Sequence, residues 1–170
     1  MAFSLIPDYV FSDYTAVTPE FLHAHGVELL LCDLDYTLAP KSQKEPDAAL
    51  LAWVAALRGS GVAMEVVSNN RSGRRVGRFC ERLGVGYVGH AGKPSARGYR
   101  AAMAKHGASA AQTAALGDKL LTDVLAAKRA GVLMLMVEPN GGPVGAWNRV
   151  LHALQEPFKR ACPRDGRGAN

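Results

Sequence analysis

Leu29-Leu30-Leu31-Cys32-Asp33-Leu34-Asp35-Tyr36-Thr37 decides the fold of this 170-residue chain, because an unbroken apolar run passes directly into a pair of acids. Four apolar residues without polar alternation, with a glycine before them and acids after, form the pattern of a central parallel strand covered on both faces. The acids then stand where the strand gives way to a loop.

Downstream, Asp47–Arg58 places Ala49, Leu50, Trp53, Val54 and Leu57 at helical spacing, and Gly59-Ser60-Gly61 stops the helix. Val62–Val67 reads as a second strand ending at Ser68-Asn69-Asn70. Arg74–Leu83 reads as a helix closed by Gly84, Gly86–Val88 as a brief third strand, and Ser95–His106 as a helix after Pro94. Ala114–Leu116 is a fourth strand, Leu121–Ala130 a helix stopped by Gly131, and Val132–Val137 a fifth strand. Repeated strand–helix alternation predicts an α/β three-layer sandwich with a mostly parallel five-stranded sheet and right-handed crossovers.

With 48% apolar residues and no internal repeat, the chain suits one domain. Its expected parts are a lead-in over 1–27, a catalytic core over 28–140, a terminal helix over 144–162 and a flexible tail over 163–170. Cys32, Cys80 and Cys162 are odd in number and lie in no metal or disulfide spacing, which points to a reducing cytosolic setting. No Lys or Arg occurs in the first 40 residues and no apolar run approaches a membrane span, so the expectation is a soluble cytoplasmic protein.

The net charge of +5 is unevenly spread: residues 1–40 hold six acids and no Lys or Arg, leaving +11 for the remainder. The densest part is 71–105, where Arg71, Arg74, Arg75, Arg78, Arg82, Lys93, Arg97, Arg100 and Lys105 face only Glu81. Such clustering steers anionic partners. A solvated face of arginine-rich helices is the plainer reading for any single arginine.

In open parallel sheets ligands bind beyond the carboxyl ends of the strands. Asp33 and Asp35, Ser68 and Asn69, and Gly117 and Asp118 follow the first, second and fourth strands, so all converge on one edge. Lys93, in the loop after the third strand, can reach it. Carboxylates beside a lysine and a divalent cation meet the needs of phosphoryl transfer, which depends on positioning and charge neutralisation. Asp33 and Asp118 offer the hard oxygens that Mg2+ prefers, and Asp123 can hold a metal-bound water. Asp33 is the candidate nucleophile and Asp35 the candidate acid/base. Thr37 would brace the loop, Ser68 and the Asn69 N–H would bind phosphate oxygens, and Lys93 would offset negative charge. Taken singly, each has a mundane reading as a turn, cap or loop residue.

In this order the residues resemble the four motifs of the haloacid dehalogenase (HAD) phosphatase superfamily: Asp33-Leu34-Asp35-Tyr36-Thr37, Ser68-Asn69-Asn70, Lys93 in Gly92-Lys93-Pro94-Ser95, and Gly117-Asp118 through Asp123. Ile6-Pro7-Asp8-Tyr9, Thr18-Pro19-Glu20-Phe21-Leu22, Ala91-Gly92-Lys93-Pro94 and Gly117-Asp118-Lys119-Leu120-Leu121-Thr122-Asp123 further resemble the YqeG-type, subclass IIIA branch, related to phosphatidylglycerophosphate phosphatases. The resemblance implies a HAD-like fold, an aspartyl-phosphate intermediate, and Mg2+ held by Asp33, the Asp35 backbone carbonyl and Asp118. Lys119 stands where relatives would carry a neutral polar residue.

The 35 residues from Asp33 to Ser68 and the 25 from Ser68 to Lys93 are filled by predicted core elements, leaving no room for a cap domain. An open site suits a bulky phosphate ester, phosphatidylglycerophosphate by resemblance. The alternatives are a soluble nucleotide, a sugar phosphate, a nucleic-acid end, or a non-catalytic scaffold binding RNA or protein through its basic face. The intact acids argue against the scaffold, and nucleic acid is set aside as a partner. Phe3, Leu5, Ile6, Tyr9, Phe11 and Tyr14, and the stripe Trp147, Val150, Leu151, Leu154 and Phe158, would cover the core. Contact with an anionic lipid surface is the sharper alternative for both.

Overall fold

The computed structural model describes residues 5–70, 72–141 and 146–163, with the side chains of 146–148 and 151–152 outside that description. Phe3, Arg71, the side chains of Trp147 and Leu151, and the expected tail beyond 163 therefore lie outside the described residues. The strands are β1 (Tyr9–Phe11), β2 (Leu29–Cys32), β3 (Ala63–Val67), β4 (Gly86–Val88), β5 (Thr113–Gly117) and β6 (Leu133–Val137). They form one sheet in the order β1-β6-β5-β2-β3-β4, and every pairing is parallel.

The sheet thus has six strands where the sequence pattern predicts five, and it is wholly parallel. The extra strand is β1, three residues long and too short to show a period. Polar anchoring explains its place. Asp8 Oδ2 accepts from the Met134 N–H at 2.7 Å and Asp8 Oδ1 pairs with Lys128 Nζ at 2.6 Å, while on the chain's other side Val10 N–H donates to the Pro163 carbonyl at 2.9 Å.

The helices are α1 (Pro19–Ala24), α2 (Ala48–Gly59), α3 (Gly73–Leu83), α4 (Arg97–His106), α5 (Leu125–Ala130) and α6 (Ala146–Arg160). Strand alternation sorts the core into two layers: Leu30, Cys32, Leu135 and Val137 join the side chains of α1, α2 and α3, while Leu29, Leu31, Met134 and Met136 join those of α4 and α5. A parallel sheet covered on both faces follows directly. Phe11 and Tyr14 are buried in the first layer, with Tyr14 set edge-on against Trp53, so these lead-in aromatics pack as core.

α6 departs from the expected core stripe. Val150 and Leu154 are 51% and 62% exposed, whereas Gln155 and Lys159 are buried. The reason is polar: Gln155 Oε1 accepts from the Leu120 N–H at 2.7 Å, and Lys159 Nζ pairs with Glu138 at 2.7 Å. These bonds turn the polar residues inward, and Phe158 alone of the described stripe residues packs on the second layer. No helix among the described residues is long and apolar enough to cross a membrane.

Candidate active site

β2 fixes Asp33, whose N–H donates to the Leu116 carbonyl at 2.9 Å and so extends the pairing with β5 beyond the strand end. The chain then turns at Tyr36, which adopts a left-handed φ of 70°. That conformation costs a non-glycine residue on the order of 1 kcal/mol. It is held by Tyr36 N–H donating to the Ala39 carbonyl at 2.8 Å and by the Tyr36 carbonyl accepting from Asn140 N–H at 2.6 Å. Beyond the turn, Thr37 Oγ1 donates to Asp118 Oδ1 at 3.2 Å, tying the first loop to the last motif.

β3 delivers Ser68, buried, whose Oγ accepts from Asn70 N–H at 3.1 Å. The Asn69 amide grips the Lys93 backbone from both sides: its Nδ2 donates to the Lys93 carbonyl and its Oδ1 accepts from the Lys93 N–H, each at 2.8 Å. The Lys93–Pro94 bond is cis. So held, Lys93 sends its ammonium between two carboxylates, 2.6 Å from Asp33 Oδ1 and 2.6 Å from Asp123 Oδ1.

The fourth motif depends on a close approach. A Cβ on Gly117 would lie 2.5 Å from Asp123 Cβ, so only glycine lets Asp123 fold back against the end of β5. Leu120–Val124 forms one π-helical turn before α5 begins, where the sequence pattern predicts plain α-helix from Leu121. Wide turns of this kind occur at functional sites. Here the turn carries Asp123 Oδ2 to the Lys119 N–H at 3.1 Å.

Asp33, Asp118 and Asp123 are all buried, and each offers a carboxylate oxygen within 4.8 Å of the others. Among the described residues no donor bonds the second oxygen of Asp33. Burial drives the Asp33 carboxyl up, with Asp123 adding to the rise and Lys93 opposing it. Burial likewise lifts Asp118 to about 7 against the pull of Lys119. Burial would neutralise Lys93, but Asp123 and Asp33 more than reverse this and keep its ammonium charged. Hard oxygen donors, concentrated and incompletely neutralised, fit a divalent cation of the Mg2+ class.

Asp35 belongs to a different pair. Its Oδ1 meets Arg75 Nη1 at 2.5 Å and its Oδ2 accepts from Asn70 Nδ2 at 2.7 Å. Arg75 and the Asn70 side chain are contributions that sequence reading missed. The available signal was position: Arg75 lies in the first turn of α3, directly after the second motif, at the edge where the strands end. A cavity of about 190 Å³ opens over Asp33, Asp35, Ser68, Asn69, Lys93 and Asp123, with Tyr36, Lys41, Lys119 and Thr122 on its rim. All the predicted site residues but Thr37 and Asp118 line this cavity, and those two are bonded to each other.

A family model described as HAD-hydrolase-like matches residues 90–141, the stretch that carries Lys93, Asp118 and Asp123. The probable phosphatase YqeG of Bacillus subtilis is 29% identical over 161 residues, spanning 95% of this chain and 93% of that protein. By these matches the chain is similar to the HAD-like hydrolases. Over most of its length the likeness is to the YqeG phosphatase.

Solved structures share the fold. The 3-deoxy-D-manno-octulosonate 8-phosphate phosphatase of Yersinia pestis superposes with a TM-score of 0.57 at 15% identity, covering 84% of this chain and 87% of that one. The Moraxella catarrhalis enzyme, solved with magnesium ion, phosphate ion and KDO, gives 0.54 at 18% identity, covering 84% and 95%. The cobalt-bound Haemophilus influenzae enzyme gives 0.55 at 17% identity, covering 82% and 92%.

Proposed function

We propose that this HAD-like protein hydrolyses phosphate monoesters with Mg2+, through an aspartyl-phosphate on Asp33, and that its substrate is phosphatidylglycerophosphate or another bulky ester. The observation that carries this reading is the Lys93 ammonium held between Asp33 and Asp123 at the floor of an open cavity. A buried lysine fixed this way orients one Asp33 oxygen and leaves the other for attack on phosphorus.

In the first step the Asp33 carboxylate bonds to phosphorus, the ester P–O bond breaks, and the departing alkoxide takes a proton from Asp35. In the second, Asp35 takes a proton from a water that attacks phosphorus, which releases phosphate and restores Asp33. Ser68 and the Asn69 N–H bind the phosphate oxygens, and Lys93 offsets their charge. Asp33, the Asp35 carbonyl and Asp118 would hold Mg2+, whose positive charge would offset that of phosphate and carboxylate, and Asp123 would hold a water beside it.

The open rim supports a bulky substrate. Among the described residues only α2 and β3 lie between Asp33 and Ser68, and only α3 and β4 between Ser68 and Lys93, so no described cap closes over a small metabolite. The structural neighbours act on a sugar acid phosphate, which makes a soluble ester the rival. Phosphate release with Mg2+ from detergent-dispersed phosphatidylglycerophosphate beside soluble esters separates the two. Turnover of soluble esters alone would remove the lipid reading. Asp33→Asn should abolish release from every ester while the thermal unfolding profile stays cooperative, and surviving activity would remove Asp33 as nucleophile.

A further inference from the structure

Beside the acidic cavity lies a second hollow of about 300 Å³, at the lower end of ligand-pocket volumes. Its walls are Leu5, Leu121, Leu154 and Phe158, and it meets the active cavity at Lys119 and Thr122, which line both. Leu121 from the π turn and Leu154 from α6 are 56% and 62% exposed, so two large apolar side chains on separate elements stand in water on one groove. The groove is built rather than a gap between loose parts: the buried Gln155–Leu120 bond of 2.7 Å pins α6 to the π turn beneath it.

Resting on the phosphatase reading above, we infer that this groove is the subsite for the apolar chain of an amphipathic phosphate monoester whose phosphate lies at Lys93. Continuity carries the assignment, because the two hollows share two wall residues and one molecule can occupy both. Polarity supports it: the cavity sets Lys41, Lys93 and Lys119 beside Asp33, Asp35 and Asp123, a lining suited to a phosphate with its cation, while the groove offers hydrocarbon and the methylene stem of Lys119. An ester with anionic head and apolar tail matches that division, whereas a polyhydroxylated ester would leave the leucines facing its hydroxyls.

The test uses n-butyl, n-octyl and n-dodecyl phosphate, each below its micelle concentration, with the full chain and Mg2+. In the wild type kcat/KM should rise at least about tenfold from butyl to dodecyl, since burying a methylene is worth up to about fourfold. The double variant Leu121→Gln/Leu154→Gln, changed only at exposed positions, should cut that rise to about threefold or less. It should hold butyl phosphate turnover within about twofold. A flat wild-type series, or a double variant that keeps the full rise, overturns the subsite. So does a wild-type dimer that the double variant converts to monomer without altering the series, because the groove would then serve self-association.

Binding to Asp33→Asn, measured by calorimetry, separates this inference from the one beneath it. Chain-length-dependent binding without wild-type turnover would spare the groove and sink the phosphatase reading. Turnover with chain-independent binding would do the reverse.

Discussion

Arg75 Nη1 lies 2.5 Å from Asp35 Oδ1, and the same guanidinium donates through Nη2 to the Gln43 carbonyl at 3.2 Å. Arg75 therefore locks the loop after β2 to the start of α3 and fixes the direction of the proposed acid/base. If Asp35 protonates the leaving alkoxide, its placement matters most when the leaving group is poor. Arg75→Ala should lower kcat on alkyl phosphates about 10- to 100-fold, less than the roughly 10²- to 10⁴-fold of a whole general acid–base contribution, because Asp35 itself remains. Its effect on p-nitrophenyl phosphate, whose leaving group needs no proton, should be several-fold smaller. Equal losses on both esters would assign Arg75 to phosphate binding or to the fold.

Lys93 joins two buried carboxylates, and its removal leaves both without their partner. Lys93→Met should abolish activity and destabilise the protein by about 3–5 kcal/mol, as when one member of a buried pair is deleted. Urea denaturation measures this. Adding Asp123→Asn should recover part of the loss by removing one stranded charge. A single variant as stable as the wild type would mean that the acids are already protonated or solvated in the fold.

The acid cluster sets a pH dependence whose sign is definite. Asp33 and Asp118 have raised carboxyls in the folded chain, chiefly through burial, and Asp118 reaches about 7. Between the ordinary carboxylate value near 4 and about 7 the folded state thus holds more protons than the unfolded one, so stability falls as pH rises through that window. Lys93, raised and charged throughout the window, contributes no slope there. In chelator the thermal midpoint should drop by several degrees from pH 5 to pH 7.5, and Mg2+ should restore more at pH 7.5 than at pH 5. A midpoint that climbs with pH in chelator would contradict the burial of these acids.

Strand ends were the most legible part of the sequence. Leu29–Cys32 and Leu133–Val137 announce themselves because a strand buried on both faces must be apolar throughout, and the acids after them mark where the sheet stops. Asp33 and Asp118 could be placed for that reason, whereas Lys93 and Asp123 were read from a loop and from the order of the motifs. β1 could not, since three residues carry no period and its position rests on Asp8 reaching β6. Arg75 was hidden among arginines whose spacing does not tell which one turns toward Asp35. α6 misled because its leucines obey helical spacing, yet the bonds of Gln155 and Lys159 decide which face goes inward.

Lys119 marks a competition that the sequence only hinted at. Its ammonium sits 2.9 and 3.1 Å from the two oxygens of Asp118 and 5.4 Å from the centre of the Tyr36 ring. Those oxygens belong to the carboxylate that would hold Mg2+, so ammonium and cation contend for one group. The side chain is 42% exposed, and solvent limits such a pair to about 1 kcal/mol or less. Lys119→Gln keeps most of the length and removes the charge. The Mg2+ concentration for half-maximal phosphate release should therefore fall by about two- to fivefold. KM for the ester should rise, because a cation is lost from the rim. A Mg2+ requirement that instead increased would show that Lys119 helps assemble the metal-bound site.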